Sequence, residues 1–234
     1  MTNQKLGILM LDTQFPRILG DAGNPETYPM DVLIEVVKDV SSLDVVNDKS
    51  LSDEICQKFI KAAQSMESQG ASAIISTCGF LFKEQEKIEQ AVDVPVMVSS
   101  LSLYGTIKTE LGGKKIAILT ASKPDLSALI KFSDRIAADE VEIIGMENCK
   151  AFSEVILQEK QKQSTILNAD DIEQYVTSEV SALLQRDQDI GAILIECGNL
   201  PPYISAIKSE TDLPVYSILD GVDLMMDRAA VSDG

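Results

Sequence analysis

Short apolar runs alternate with longer amphipathic segments along almost the whole chain. Leu6-Gly7-Ile8-Leu9-Met10-Leu11 reads as a buried strand, because a continuous apolar run with polar flanks suits a strand covered on both faces. It ends in a polar loop from Asp12 to about Pro29 that holds Arg17, Gly20-Asp21 and Asn24-Pro25. Loops of this length inside a compact domain are usually functional. From Ser52 or Asp53 to Ser68 the spacing becomes helical, with an acidic first turn and Ile55, Phe59, Ile60, Ala63 and Met66 on one stripe. Gly70 stands as its stop. A strand from Ala71 to Ser76, a helix through Glu84 to Ala91 and a strand from Val94 to Val98 follow, leaving by Ser99-Ser100.

After Gly112-Gly113 the alternation begins again. A strand is expected from Lys115 to Thr120, then Ala121-Ser122-Lys123-Pro124, with Pro124 suited to the first turn of a helix to about Ile136. A strand from Val141 to Ile144 and helices around 151–158 and 170–185 precede a strand from Ala192 to Ile195. A helix started by Pro201-Pro202, a strand from Pro214 to Ile218 and a last helix from Asp220 to Arg228 complete the chain. Strands alternating with helices indicate a parallel sheet with helices on both faces, here twice over.

Two cysteines mark the repeat. Cys78 ends the run Ile74-Ile75-Ser76-Thr77, Cys197 ends Ile193-Leu194-Ile195-Glu196, and each is followed by glycine. Pro95 lies 17 residues beyond Cys78 and Pro214 lies 17 beyond Cys197, opening Asp-Val-Pro-Val and Asp-Leu-Pro-Val segments. The units are 119 positions apart, so the chain divides into two lobes of about 100 residues, a size that buries its own core.

Composition narrows the chemistry. Histidine is absent, which removes Cys-His and Ser-His-Asp nucleophile arrangements and His-ligated metal sites. A net charge of −17 argues against nucleic acid or an anionic membrane as partner. No apolar stretch reaches the ~18 residues of a membrane span, and Met1-Thr2-Asn3-Gln4-Lys5 carries no signal-peptide core. Four cysteines, none in a CxxC pair, fit reduced thiols in a cytoplasmic protein.

In open parallel sheets ligands lie beyond the carboxyl ends of the strands, where Cys78 and Cys197 stand. Facing lobes would set one thiol to remove a proton and the other to supply one, with helix N-termini lowering the thiol pKa. The resulting enediolate would need N–H groups after each cysteine and hydroxyls such as Thr120, Ser122, Ser99 and Ser100. Arg17, among four arginines, is the expected carboxylate partner. Cys56, on a helix stripe, and Cys149 read as core residues. Glu196 and Thr77 read equally as proton-transfer aids or helix caps.

Thr77-Cys78-Gly79 and Glu196-Cys197-Gly198 together resemble the cofactor-independent aspartate/glutamate/hydantoin racemase superfamily, over nearly the whole chain. The resemblance implies two pseudo-symmetric Rossmann-like α/β lobes with the active site in the cleft between them. It also implies no pyridoxal phosphate or metal, and a homodimer or higher homo-oligomer acting on a small carboxylate. Its last segment would cross back, giving a lobe of residues 1–105 completed by 214–234 and a second lobe of 106–213. Leu11-Asp12, Gly20-Asp21, Cys78-Gly79-Phe80, the run from Pro95 to Leu101, and Glu196-Cys197 with Leu200-Pro201-Pro202-Tyr203 resemble a narrower branch, the algal dimethylsulfoniopropionate lyases. Cys78 and Cys197 are the implied acid and base. Asp12, Arg17, Gly79, Phe80, Ser99, Thr120, Ser122, Gly198 and Asn199 are the expected substrate contacts.

Gly79-Phe80 and Gly198-Asn199 depart from the polar residues that follow the cysteines in the amino-acid racemases, and Phe80 makes the pocket more apolar. Three readings stand. A racemase or epimerase exchanging an α-proton between two thiols comes first; a lyase using the same abstraction for β-elimination comes second. A binding protein that lost turnover is the third, since fold does not establish activity.

Overall fold

The computed structural model describes residues 4–47 and 49–232; the expected opening of the first lobe at residues 1–3, and its close at residues 233–234, lie outside the described residues. Two four-stranded parallel sheets flanked by helices make the fold. The first comprises β1 (Lys5–Leu11), β2 (Asp31–Val37), β3 (Ala73–Ser76) and β4 (Val96–Met97) in the order β2-β1-β3-β4. The helices α1 (Ser42–Val45), α2 (Asp53–Ser68), α3 (Gln85–Glu89) and α4 (Tyr104–Glu110) belong to this half. The second sheet comprises β5 (Lys115–Thr120), β6 (Val141–Gly145), β7 (Ile190–Ile195) and β8 (Val215–Tyr216) in the order β6-β5-β7-β8. With it run α5 (Lys123–Lys131), α6 (Lys150–Ile156), α7 (Ala169–Arg186) and α8 (Ile204–Glu210), and α9 (Ile218–Ser232) ends the described chain.

Local sequence accounts for the elements. The hydroxyl of Ser52 accepts from the Ile55 amide to cap α2, whose Cys56, Phe59, Ala63 and Met66 are buried at helical spacing. Gly70, at φ 88°, supplies the left-handed turn after it. Asn168 caps α7, which buries Ile172, Val176, Val180 and Leu183. The strand β2 lies where no element is expected between Pro29 and Ser52. It pairs with β1 alone at the sheet edge and leaves Ile34 and Val36 partly exposed.

β3 and β7 occupy equivalent inner positions in their sheets, so their carboxyl ends present Cys78 and Cys197 at matching points. One hydrophobic cluster runs from Leu9 through Cys78 and Cys197 to Val215, so both halves share a core. A smaller cluster joins Leu6, Ile8, Ala73 and Ile75 of the first sheet to Ile218, Val222, Met225 and Met226 of α9. That helix therefore covers the other face of the first sheet. Ser100 donates to the Ile195 carbonyl at 2.7 Å and ties the exit of β4 to the end of β7. No helix among the described residues is long and apolar enough to cross a membrane.

Candidate active site

The loops after β3 and β7 meet back to back. A Cβ on Gly198 would sit 2.5 Å from the Thr77 carbonyl oxygen, and one on Gly79 would collide with the Glu196 carbonyl oxygen and carboxyl group. Neither glycine has a positive φ; they are needed for space. Each glycine thus admits the residue that precedes the opposite cysteine, and Cys78 and Cys197 line one cavity.

Thr13, Phe15 and Arg17 of the loop after β1, Phe80, Glu196 and Asn199 also line that cavity. Its free volume is about 20 Å³, room for about one water molecule. Two interactions hold the first loop to the segment between α6 and α7. Gln14 donates twice to Gln163, from its backbone amide to Oε1 at 3.0 Å and from Nε2 to the carbonyl oxygen at 2.9 Å, and Asp12 is ion-paired to Lys160.

Arg17 is the cation that lines the cavity among the described residues, lying 4.9 Å over the Phe15 ring. It pairs with Asp21 at 2.9 Å. The other Asp21 oxygen accepts from Asn199 at 2.7 Å, and Asn199 Oδ1 lies 3.7 Å from Cys197 Sγ. A chain of polar contacts therefore links Arg17 in the first half to the second thiol.

Both thiols are buried and neutral at ordinary pH. Burial first, then the charge of Glu196, pushes the Cys78 thiol up to about 12. The same two causes, in the same order, raise Cys197 well above the usual thiol range. This corrects the expectation that helix ends lower these pKa values. The amides of Phe80 and Asn199 do favour the thiolates, but desolvation outweighs them. Glu196 is itself displaced. Burial raises its carboxyl to about 7, against the opposing hydrogen bond from Thr120.

The expected contacts separate into three groups. Arg17, Gly79, Phe80 and Asn199 join the thiols, while Gly198 and Thr120 support them from behind, Thr120 Oγ1 donating to Glu196 at 2.8 Å. Asp12 instead faces a neighbouring groove with Lys160. Ser99 accepts from the Leu101 amide, and Ser122 caps α5 beside Asp125. Thr13 and Phe15, which line the cavity, and Asp21, which joins Arg17 to Asn199, lie outside the expected substrate contacts. Their position in the long loop after β1 is the signal the sequence carries for them. No group of three or more potential metal-ligating residues occurs among the described residues.

Residues 21–229 match the family model Asp/Glu/Hydantoin racemase. Among curated proteins, dimethylsulfoniopropionate lyase 7 of Emiliania huxleyi (strain CCMP1516) is 30% identical over 92% of this chain and 64% of its own length. Dimethylsulfoniopropionate lyase of Durusdinium sp. clade D is 27% identical over 94% of this chain and 73% of its own. The chain spans less than two thirds of the Emiliania lyase. An arylmalonate decarboxylase variant in a sulfate-associated form shares the fold, with TM-score 0.62, 14% identity and coverage of 94% and 93% of the two chains. Glutamate racemase from Bacillus anthracis shares it at TM-score 0.57 and 17% identity, over 100% of this chain and 84% of its own. With the match to the family model spanning most of its length, the chain belongs to the Asp/Glu/Hydantoin racemase family.

Proposed function

We infer that the protein is an acid/base enzyme that removes the α-proton of a small carboxylate with a cavity thiol and expels a leaving group from the neighbouring carbon. The observation that carries this reading is the convergence of Cys78, Cys197 and Arg17 on one cavity. Arg17 would hold the carboxylate, the thiol take the proton, and loop amides stabilise the enediolate. Elimination from dimethylsulfoniopropionate, or a similar carboxylate, is favoured by the lyases to which this chain is similar. The apolar lining from Phe15, Phe80, Val46 and Ile156 suits a substrate without an ammonium group.

Racemisation is the second reading, supported by the second thiol in the same cavity, since inversion needs a donor on the face opposite the base. The four thiols are free, which supports a reducing, cytoplasmic setting. Incubation in deuterated water with dimethylsulfoniopropionate, and separately with aspartate and glutamate, tests both readings. Acrylate and dimethyl sulfide in the NMR spectrum are expected. Deuterium at the α-carbon of an amino acid with inversion would replace elimination by racemisation, and no exchange with any of these substrates would overturn the proposed acid/base activity on them.

A further inference from the structure

Glu196 is a buried acid that the mechanism above leaves without a task. It is 2% exposed and lines the same cavity as the two thiols. Its Oε2 accepts from Thr120, while Oε1 has no hydrogen-bond partner. The carboxyl lies against Gly79, the residue next to Cys78, across the junction of the halves. A buried carboxyl oxygen with no donor is costly when ionised. Both thiols line the cavity with it, and a chain without histidine offers no imidazole to take a thiol proton.

We propose that Glu196 is the proton acceptor that makes Cys78 a base: the Cys78 S–H bond breaks as an O–H bond forms on Glu196, and the single negative charge passes from oxygen to sulfur. Glu196 is a positioning residue in this scheme, since it acts through the thiol. The inference rests on the reading of Cys78 as the base that abstracts the substrate proton. The surroundings favour this thiol. Arg17 and Lys83 both stabilise a Cys78 thiolate, whereas Asp21 and the other thiol oppose one on Cys197. Thr120 of β5 donates to the carboxyl, Cys78 and Cys197 line the same cavity, and Arg17 enters it from the loop after β1, paired with Asp21.

Two acids that share one site lose their first proton together. Above that step the split between carboxylate and thiolate no longer depends on pH until a second proton leaves. Hydrogen peroxide oxidises thiolates, so its rate with Cys78 reads the thiolate fraction. Peptide mass spectrometry follows each cysteine separately, with the buried Cys149 as reference.

The wild-type Cys78 rate should rise about tenfold between about pH 6 and 8, then change by less than about twofold to about pH 9, for a first step near 7. Glu196→Gln should abolish the plateau and give a rise of about tenfold for each pH unit, and Glu196→Asp should restore it. A tenfold rise per unit in the wild type, a plateau that survives Glu196→Gln, or Cys78 oxidation no faster than that of Cys149 would each overturn the assignment. The wild-type profile decides alone if the Gln variant does not fold. Because oxidation requires no turnover, a plateau in a protein inactive on every substrate would sink the proposed reaction and leave the proton acceptor standing.

Discussion

The two cysteine loops are alike in placement, each following the inner strand of its sheet, and unlike in charge. After Cys78 comes a glycine pressed on Glu196, and after Cys197 a glycine pressed on the Thr77 carbonyl oxygen. Ahead of the first thiol stands an uncharged hydroxyl and ahead of the second a buried acid, Thr77 and Glu196, both with a side-chain oxygen lacking a partner. Beyond the second thiol Asn199 reaches Asp21 and through it Arg17, whereas beyond the first comes apolar Phe80. The matching strand order thus fixes where two sulfurs meet, and single flanking residues set the two apart. Only one proton acceptor is needed between two neighbouring thiols, and only one loop supplies it.

The largest effect should fall on the thiols themselves. Cys78→Ser should lower proton abstraction by roughly 10²–10⁴, the usual contribution of a positioned acid or base. Cys197→Ser should match it in racemisation, where each sulfur serves one face, and fall well short of it in elimination. Rates of α-deuterium exchange measured on both variants therefore sharpen the comparison. Equal full activity in both would remove thiol chemistry altogether.

Next in size is the pH dependence of stability that Glu196 brings to one loop only. Its carboxyl is raised from 4.5 to about 7 in the folded protein, so between those values the native state holds a proton that the unfolded chain has released. Stability is complete below about 4.5, falls as pH rises to about 7, and is level above. The loss attributable to this group is on the order of 3 kcal/mol. Urea titrations across that range should show the fall in the wild type and its absence in Glu196→Gln. Thr77→Val should keep it, since no titrating group is removed.

Much of this was legible from residues alone, and the limits have physical causes. The meeting of Cys78 and Cys197 was readable because an apolar run, a cysteine, a glycine and a proline recur at fixed spacing. Burial was not. The same strand-end placement that suggested a lowered thiol pKa also buries the sulfur, and desolvation is set by what packs from the other half. Glu196 was visible as a letter, but its unpartnered oxygen depends on Gly79, 117 residues earlier. The edge strand β2 escaped because Asp31-Val32-Leu33-Ile34-Glu35-Val36-Val37 is neither cleanly alternating nor wholly apolar. Pairing with β1 decides it. Phe15 and Asp21 lie in an irregular loop without periodicity, so their convergence on the thiols is tertiary.

The smallest effect in this series, and the one that best separates the loops, comes from adding a single methyl to each glycine. In Gly198→Ala the new carbon meets the Thr77 carbonyl oxygen at 2.5 Å, its carbon at 3.0 Å and the Ala22 Cβ at 3.2 Å. These are backbone and short side-chain atoms, so relief requires the halves to separate. In Gly79→Ala the methyl meets both the Glu196 carbonyl oxygen and its carboxyl, so the acid is displaced as well. Overpacking of this kind costs about 1–3 kcal/mol, and thermal melts should show both variants destabilised by that order. The pH step then distinguishes them. Gly198→Ala should retain the fall in stability between about 4.5 and 7, because the carboxyl stays buried. Gly79→Ala should lose most of it as Glu196 moves toward solvent and its carboxyl returns toward the ordinary range. A Gly79→Ala protein that melts like the wild type with the step intact would mean that the loops stand farther apart in solution, with no shared cavity for the two sulfurs.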